Sequence, residues 1–201
     1  MLVGDIMSRD VFTLAPEASV AEGLHLMNEH GIHRLPVVGP ADELLGIVTS
    51  TDLRIAEAAG RLTDPVRAVM TKNVVTVSEY CPLEDAASIM RQQAIGGMPV
   101  LRGDRIVGIV TDSDIFNVFS RLLGVGQPGV RLTLILPNDR DVLPELLQAV
   151  TDRGGEIISV GRIKRASGSL MVLKVGRLSE PEVQRIVTVP GVEIADVLTE
   201  S

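Results

Sequence analysis

The chain has 201 residues, 45% hydrophobic, 22% charged and only 2% aromatic, with no Trp and a formal net charge of −7. This describes an ordered protein with an aliphatic core of Val, Ile, Leu, Ala and Met, and it excludes a disordered chain. The acidic balance and the lack of a basic cluster argue against a direct reader of nucleic acid, whose affinity rests on phosphate contacts.

A single cysteine, Cys81, leaves no internal disulfide framework and no Cys-based metal cluster, as suits a reducing compartment. No stretch approaches the roughly 18 uninterrupted apolar residues of a membrane span. Met1 to Met7 lacks the charged start and long apolar run of a signal peptide. A cytoplasmic protein with no membrane partner is expected.

In chain order, Val11 to Leu14 is β-rich, and Ser19-Val20-Ala21-Glu22 then has the form of a helix capping box. Val20, Leu24 and Met27 follow at helical spacing. Leu35 to Val38 and Leu44 to Thr49 read as strands around a polar loop at Pro40 to Glu43, and a second helix starts near Asp52. The pattern then recurs. A shift of 63 residues places Met7 on Met70, Val11 on Val74, Thr13 on Thr76, Met27 on Met90, Pro36 on Pro99 and Val37 on Val100. After a one-residue deletion in the polar loop, Gly46-Ile47-Val48-Thr49 falls on Gly108-Ile109-Val110-Thr111, and Asp52 on Asp114. The second copy therefore has strands at Val74 to Val77, Met98 to Leu101 and Ile106 to Thr111. One β-α-β-β-α unit is too small to bury both faces of its sheet; two packed as an intramolecular pair are not.

Leu122 to Gly129 concentrates Gly and Pro and reads as a linker. Beyond it come a strand at Arg131 to Leu136 and a helix at Leu143 to Arg153, stopped by Gly154-Gly155. A hairpin at Ile157 to Ile163 and Leu170 to Val175, a helix at Glu182 to Val187 and a strand at Val192 to Leu198 complete a β-α-β-β-α-β, ferredoxin-like order. The expected division is repeat one at 1–60, repeat two at 64–121, a linker at 122–129 and a third domain at 130–201, all of mixed α+β or α/β class.

The paired segments Gly31-Ile32-His33-Arg34-Leu35-Pro36-Val37 and Ala94-Ile95-Gly96-Gly97-Met98-Pro99-Val100 resemble one half of the CBS signature. Gly46 to Asp52 and Gly108 to Asp114 resemble the other. Residues 130–201 resemble an ACT domain, chiefly at Ala149 to Ile157, and the order CBS–CBS–ACT is similar to the bacterial proteins named for acetoin utilisation. The CBS resemblance implies clefts in which Thr49 and Asp52, or Thr111 and Asp114, hold the phosphate and ribose of an adenosine nucleotide (AMP, ADP or ATP) or an S-adenosylmethionine-like compound. Thr13 and Thr76 lie in the segments that would border the base. The chemistry suits the assignment: a carboxylate accepts from both hydroxyls of a cis-diol, and a helix N-terminus favours phosphate.

The copies differ where His33 and Arg34 are replaced by Gly96 and Gly97. Arg34 can reach a phosphate; the diglycine leaves room for a bulkier or less charged ligand. Each Thr-x-x-Asp is equally a capping pattern that needs no ligand. His25, His30 and His33 lack an acidic partner for a zinc site, and Cys81, ahead of Pro82 at a helix start, lacks a catalytic His. The turn Pro137-Asn138-Asp139-Arg140-Asp141-Val142-Leu143 lacks the Pro-Gly of amino-acid-binding ACT domains. No phosphate loop of the Gly-x-x-x-x-Gly-Lys type and no nucleophile elbow is present, so an enzyme is not expected. The leading expectation is a regulatory protein without a tightly bound cofactor, acting as a homodimer on an unnamed partner. The alternative is a constitutive scaffold with empty clefts.

Overall fold

The computed structural model describes residues 1–136 and 141–200. The chain divides into two compact units, Met1–Phe116 and Asn117–Ser201.

In the first unit the expected box opens α1 (Val20–His30). The Ser19 hydroxyl accepts from the Glu22 amide, and the Glu22 carboxylate accepts from the Ser19 amide. Gly31, at φ 62°, ends the helix in the left-handed conformation that a residue without Cβ adopts freely. Strands β1 (Arg34–Val38) and β2 (Leu44–Thr49) pair antiparallel with Arg34 opposite Thr49, and α2 (Ser50–Ala58) follows at once. The second copy repeats this with β3 (Val77–Ser78), α3 (Leu83–Gln93), β4 (Gly97–Arg102), β5 (Arg105–Thr111) and α4 (Asp112–Leu122). Strand β3 runs parallel to β4, and β4 antiparallel to β5. The division between the units falls within α4.

The first strand of each copy is shorter than the composition suggests. Leu14 makes one bridge, to Val37, and only Val77 and Ser78 pair in the second copy. Val11 and Phe12 face a cleft instead of extending a ladder, and Pro16 has no amide to continue one.

The cores reveal an exchange that the repeat pattern alone does not show. One cluster joins Leu14, Val20, Met27, Leu35, Val37, Val48 and Leu53 with Val66, and Met70 packs against it. The other joins Val77, Ala86, Met90, Met98, Val100 and Val110 with Val3 and Met7. Each copy thus lends its opening segment to the other. Backbone bridges fasten both loans, Ser8 to Ile109 and Thr71 to Ile47. The glycine of each Gly-x-x-Thr makes this possible: a Cβ on Gly46 would sit 2.6 Å from Met70 Sδ, and one on Gly108 would run into Met7.

The second unit contains β6 (Gly129–Leu136), α5 (Leu143–Thr151), β7 (Glu156–Arg165), β8 (Gly168–Gly176), α6 (Glu180–Gln184) and β9 (Glu193–Glu200). The sheet order is β7-β8-β6-β9, antiparallel throughout, so the expected β-α-β-β-α-β order is present. Leu132, Leu134, Met171 and Leu173 pack against Leu146 and Val150 of α5 and Val183 of α6. Ahead of β6, the Leu123 carbonyl accepts from Ser159 Oγ at 3.0 Å and the Gly124 carbonyl from Lys174 Nζ at 2.8 Å. Lys174, 1% exposed, also pairs with Glu200. A lysine in the middle of a strand reads as solvent-facing, so the burial of Lys174 was invisible to pattern reading. The Pro137 to Arg140 part of the turn singled out above lies outside the described residues. Among the described residues no helix is long and apolar enough to cross a membrane.

Candidate ligand-binding cleft

The two Thr-x-x-Asp segments adopt the same geometry. Asp52 Oδ2 accepts from Thr49 N at 2.9 Å and Thr49 Oγ1 at 2.7 Å, while the Asp52 amide donates back to Thr49 Oγ1 at 3.3 Å. In the second copy Asp114 Oδ2 accepts from Thr111 N at 2.8 Å and Oγ1 at 2.7 Å, with the Asp114 amide 3.3 Å from Thr111 Oγ1. Both are complete capping boxes. Each box uses a single carboxylate oxygen, so Oδ1 of Asp52 and of Asp114 takes no part in it. Capping and diol recognition are therefore compatible in one side chain.

A cleft of about 390 Å³ lies at the start of α4, large enough for part of a nucleoside-sized ligand. Its walls come from both copies. Thr111, Asp112, Ser113 and Asp114 form one side; Ser8, Asp10, Val11, Phe12 and Gly31 to Arg34 form the other. Val11, Phe12, Ile32 and Ile109 make an apolar wall suited to a flat base. The Phe12 ring, 39% exposed, stacks on His30 with centroids 3.8 Å apart. Sequence reading placed the base along the backbone of Val11 to Thr13, a span that holds Phe12, without singling out its ring, although Phe12 is one of only three Phe in the chain.

Arg34 is the unusual group. It opens β1, and its side chain crosses the backbone of Gly96-Gly97, the residues that replace His33-Arg34 in the second copy. A Cβ on Gly97 would collide with the guanidinium, and one on Gly96 would lie 2.8 Å from Arg34 Nη2 and 3.0 Å from Asp112 Oδ2. The space left by the diglycine is thus filled by Arg34. Arg34 Nη1 is buried and has no hydrogen-bond partner. Burial draws the guanidinium pKa below its ordinary value, against the opposing pull of Asp112 and Asp114. A buried donor without an acceptor is a costly arrangement; this nitrogen packs on Gly97, while Nη2 lies over Gly96 near Asp112.

His33 also lines this cleft. Thr13 is half-buried beside it without lining it, whereas Thr76 borders a separate shallow depression with Lys72 and Asp104. Asp52 lines another depression, with Arg61 and Ala59. His25 lies 3.6 Å from Glu29 on one helix face, and no cluster of three or more metal-ligating side chains occurs among the described residues. Burial, and next the Asp85 charge, push the Cys81 thiol up, opposite to the shift that activates a nucleophile.

The family model for the CBS domain matches residues 3–59 and 66–121, just over half of the chain, and the protein belongs to that family as a tandem CBS pair. The CBS domain pair of protein MJ0100, solved with 5'-methylthioadenosine and S-adenosyl-L-methionine, is 36% identical, with a TM-score of 0.56 over 60% of this chain and 96% of that one. A putative acetoin utilization protein (AcuB) from Vibrio cholerae is 33% identical, with a TM-score of 0.58 over 62% and 94%. CBSX2, solved with AMP, is 25% identical, with a TM-score of 0.55 over 59% and 95%. Several enzymes are also relatives, but this chain matches less than a quarter of their length.

Proposed function

We propose that this protein is a ligand-responsive regulator whose CBS pair binds an adenosine nucleotide or related adenosyl metabolite. The observation that carries the reading is the cleft at the start of α4, with an apolar wall, a carboxylate oxygen left free by its capping box, and the Arg34 guanidinium among its lining. Asp114 accepts from the ribose hydroxyls, Val11 and Phe12 border the base, and Arg34 receives an anionic group. Thr49 and Asp52 carry the equivalent roles in the other copy. The adenosyl ligands of the CBS pairs described above support the class of compound.

Ligand binding biases an equilibrium between arrangements of the two copies, through different affinities for each. Residues 130–201 act as an ACT-like module that passes this to a second copy or a regulated protein, with 122–129 as the connection. The competing reading, a constitutive scaffold, has one observation in its favour: both boxes are satisfied without ligand. A thermal-shift panel of adenosine compounds on wild type, Asp52→Ala and Asp114→Ala separates the two. A compound that binds only the folded chain raises its melting temperature by mass action, and the rise disappears in the variant of the working cleft. No shift with any compound, confirmed by titration calorimetry, leaves the scaffold.

A further inference from the structure

The two helix starts differ in charge in a way that selects a ligand class. In the first copy the box encloses Ser50 and Thr51, neutral hydroxyls at the positive end of α2. In the second it encloses Asp112 and Ser113. Asp112 Oδ1 accepts from the Ser113 amide at 2.7 Å, so a carboxylate already occupies a helix amide that a phosphate would use. Around the same cleft stand Asp10, Asp112 and Asp114, three carboxylates, against one guanidinium. A phosphate dianion entering there meets a like charge at the helix start.

Arg34 and Asp112 both reach the space over Gly96, yet they form no ion pair within 4.0 Å. The Arg34 guanidinium, with Nη2 over Gly96, and the nearby Asp112 carboxylate form a bipolar pair in the cleft lining, complementary to a zwitterion rather than to a phosphate. Building on the adenosyl reading above, we infer that the cleft holding Thr111 and Asp114 takes an adenosyl compound with a zwitterionic amino-acid tail, its carboxylate on Arg34 and its ammonium facing Asp112, in preference to a nucleotide phosphate. The ribose sits on Asp114 Oδ1 and the base against Val11 and Phe12.

Titration calorimetry on the full chain carrying Asp52→Asn, which removes the ribose-accepting carboxylate of the other cleft, tests this. S-adenosylmethionine and S-adenosylhomocysteine are expected to bind at least tenfold more tightly than 5'-methylthioadenosine, which has no tail, and more tightly still than AMP. Adding Arg34→Gln removes most of the advantage of the tailed compounds but leaves 5'-methylthioadenosine unchanged; adding Asp112→Asn raises AMP affinity severalfold. Both side chains are at least partly solvent-facing, and circular dichroism verifies that each variant folds. AMP binding as tightly as S-adenosylmethionine, or 5'-methylthioadenosine doing so, overturns the inference while the adenosyl reading stands. Binding to wild type that vanishes in Asp52→Asn overturns it too, since the working cleft is then the other one. No binding of any of these compounds to wild type removes the adenosyl reading itself.

Discussion

The two copies fold to one plan and yet present different surfaces to a ligand. Their element order corresponds, α1 and α3 have 11 residues each, and the two Thr-x-x-Asp boxes agree within about 0.1 Å, although α1 opens on a Ser19–Glu22 box and α3 on Pro82 without one. What differs sits in the loops and helix starts: Gly96-Gly97 opposite His33-Arg34, Asp112 where the first copy has Ser50, and Val75 where it has Phe12. Duplication preserved what burial and backbone pairing dictate, and it released the positions that line the cleft. Similar repeats therefore need not bind similar molecules.

The largest test of that equivalence lies in the cores. Leu35 and Met98 occupy corresponding positions and are both fully buried. Leu35→Ala and Met98→Ala should each destabilise by about 3 kcal/mol, read from urea denaturation. Because each core contains the other copy's opening segment, both variants should lower a single shared transition. Two separate transitions would show that the copies unfold independently.

A smaller effect is expected where the copies diverge. Gly97→Ala should cost about 2 kcal/mol, because the new methyl meets the Val110 carbonyl oxygen at 2.8 Å, backbone that cannot swing away. Gly96→Ala meets only side-chain ends and should cost less than half as much. Equal losses would mean that the Val110 carbonyl does not press on Gly97 as the structure places it.

The helix ends give a milder contrast. Gly31 ends α1 at φ 62°, whereas Ala94 ends α3 at φ 53° and bears the left-handed strain. Gly31→Ala should destabilise and Ala94→Gly stabilise, each by roughly 1 kcal/mol, in thermal melts. A loss from Ala94→Gly would contradict this geometry.

The smallest effect is pH-dependent and belongs to the second copy alone. Arg102 donates to both carboxylate oxygens of Glu79, and this bonding holds the Glu79 pKa below its ordinary value. The first copy has Pro16 and Gly39 at the corresponding positions. A depressed folded pKa gives stability that is complete above the ordinary glutamate range and is lost as pH falls through the depressed value. Arg102→Gln should therefore make the acid limb of a stability–pH curve shallower, leaving the contributions of Glu22 and Glu182, held down by Ser19 and Ser179, in place. An unchanged limb would mean that this pair carries no pH dependence.

The repeat, the capping boxes and nearly every helix and strand were legible because each rests on local signals: Ser19 three residues before Glu22, the alternation of β6, the glycines after α5. The pairing of Thr111 with Asp114 was legible for the same reason. The make-up of one cleft from both copies was not, since Phe12 and Asp112, a hundred residues apart, are brought together by tertiary packing. Sequence alone also placed open space over Gly96-Gly97, because nothing local reveals that a side chain 62 residues upstream lies across it. Lys174 escaped notice on similar grounds: its partners, the Gly124 carbonyl and Glu200, lie far from it in the chain.

The exchange of opening segments has a consequence for synthesis. Val3 and Met7 are made well before the residues that seat them: their place among Val77, Met98 and Val110 is complete only after more than a hundred further residues have been added. This opening segment must wait for the later part of the pair. The first copy in turn lacks Val66 and Met70 until the second has begun. Neither half can be finished ahead of the other, so the nascent chain passes from unfinished to complete in one late step, and a cleft built from both halves never exists on a half-made protein.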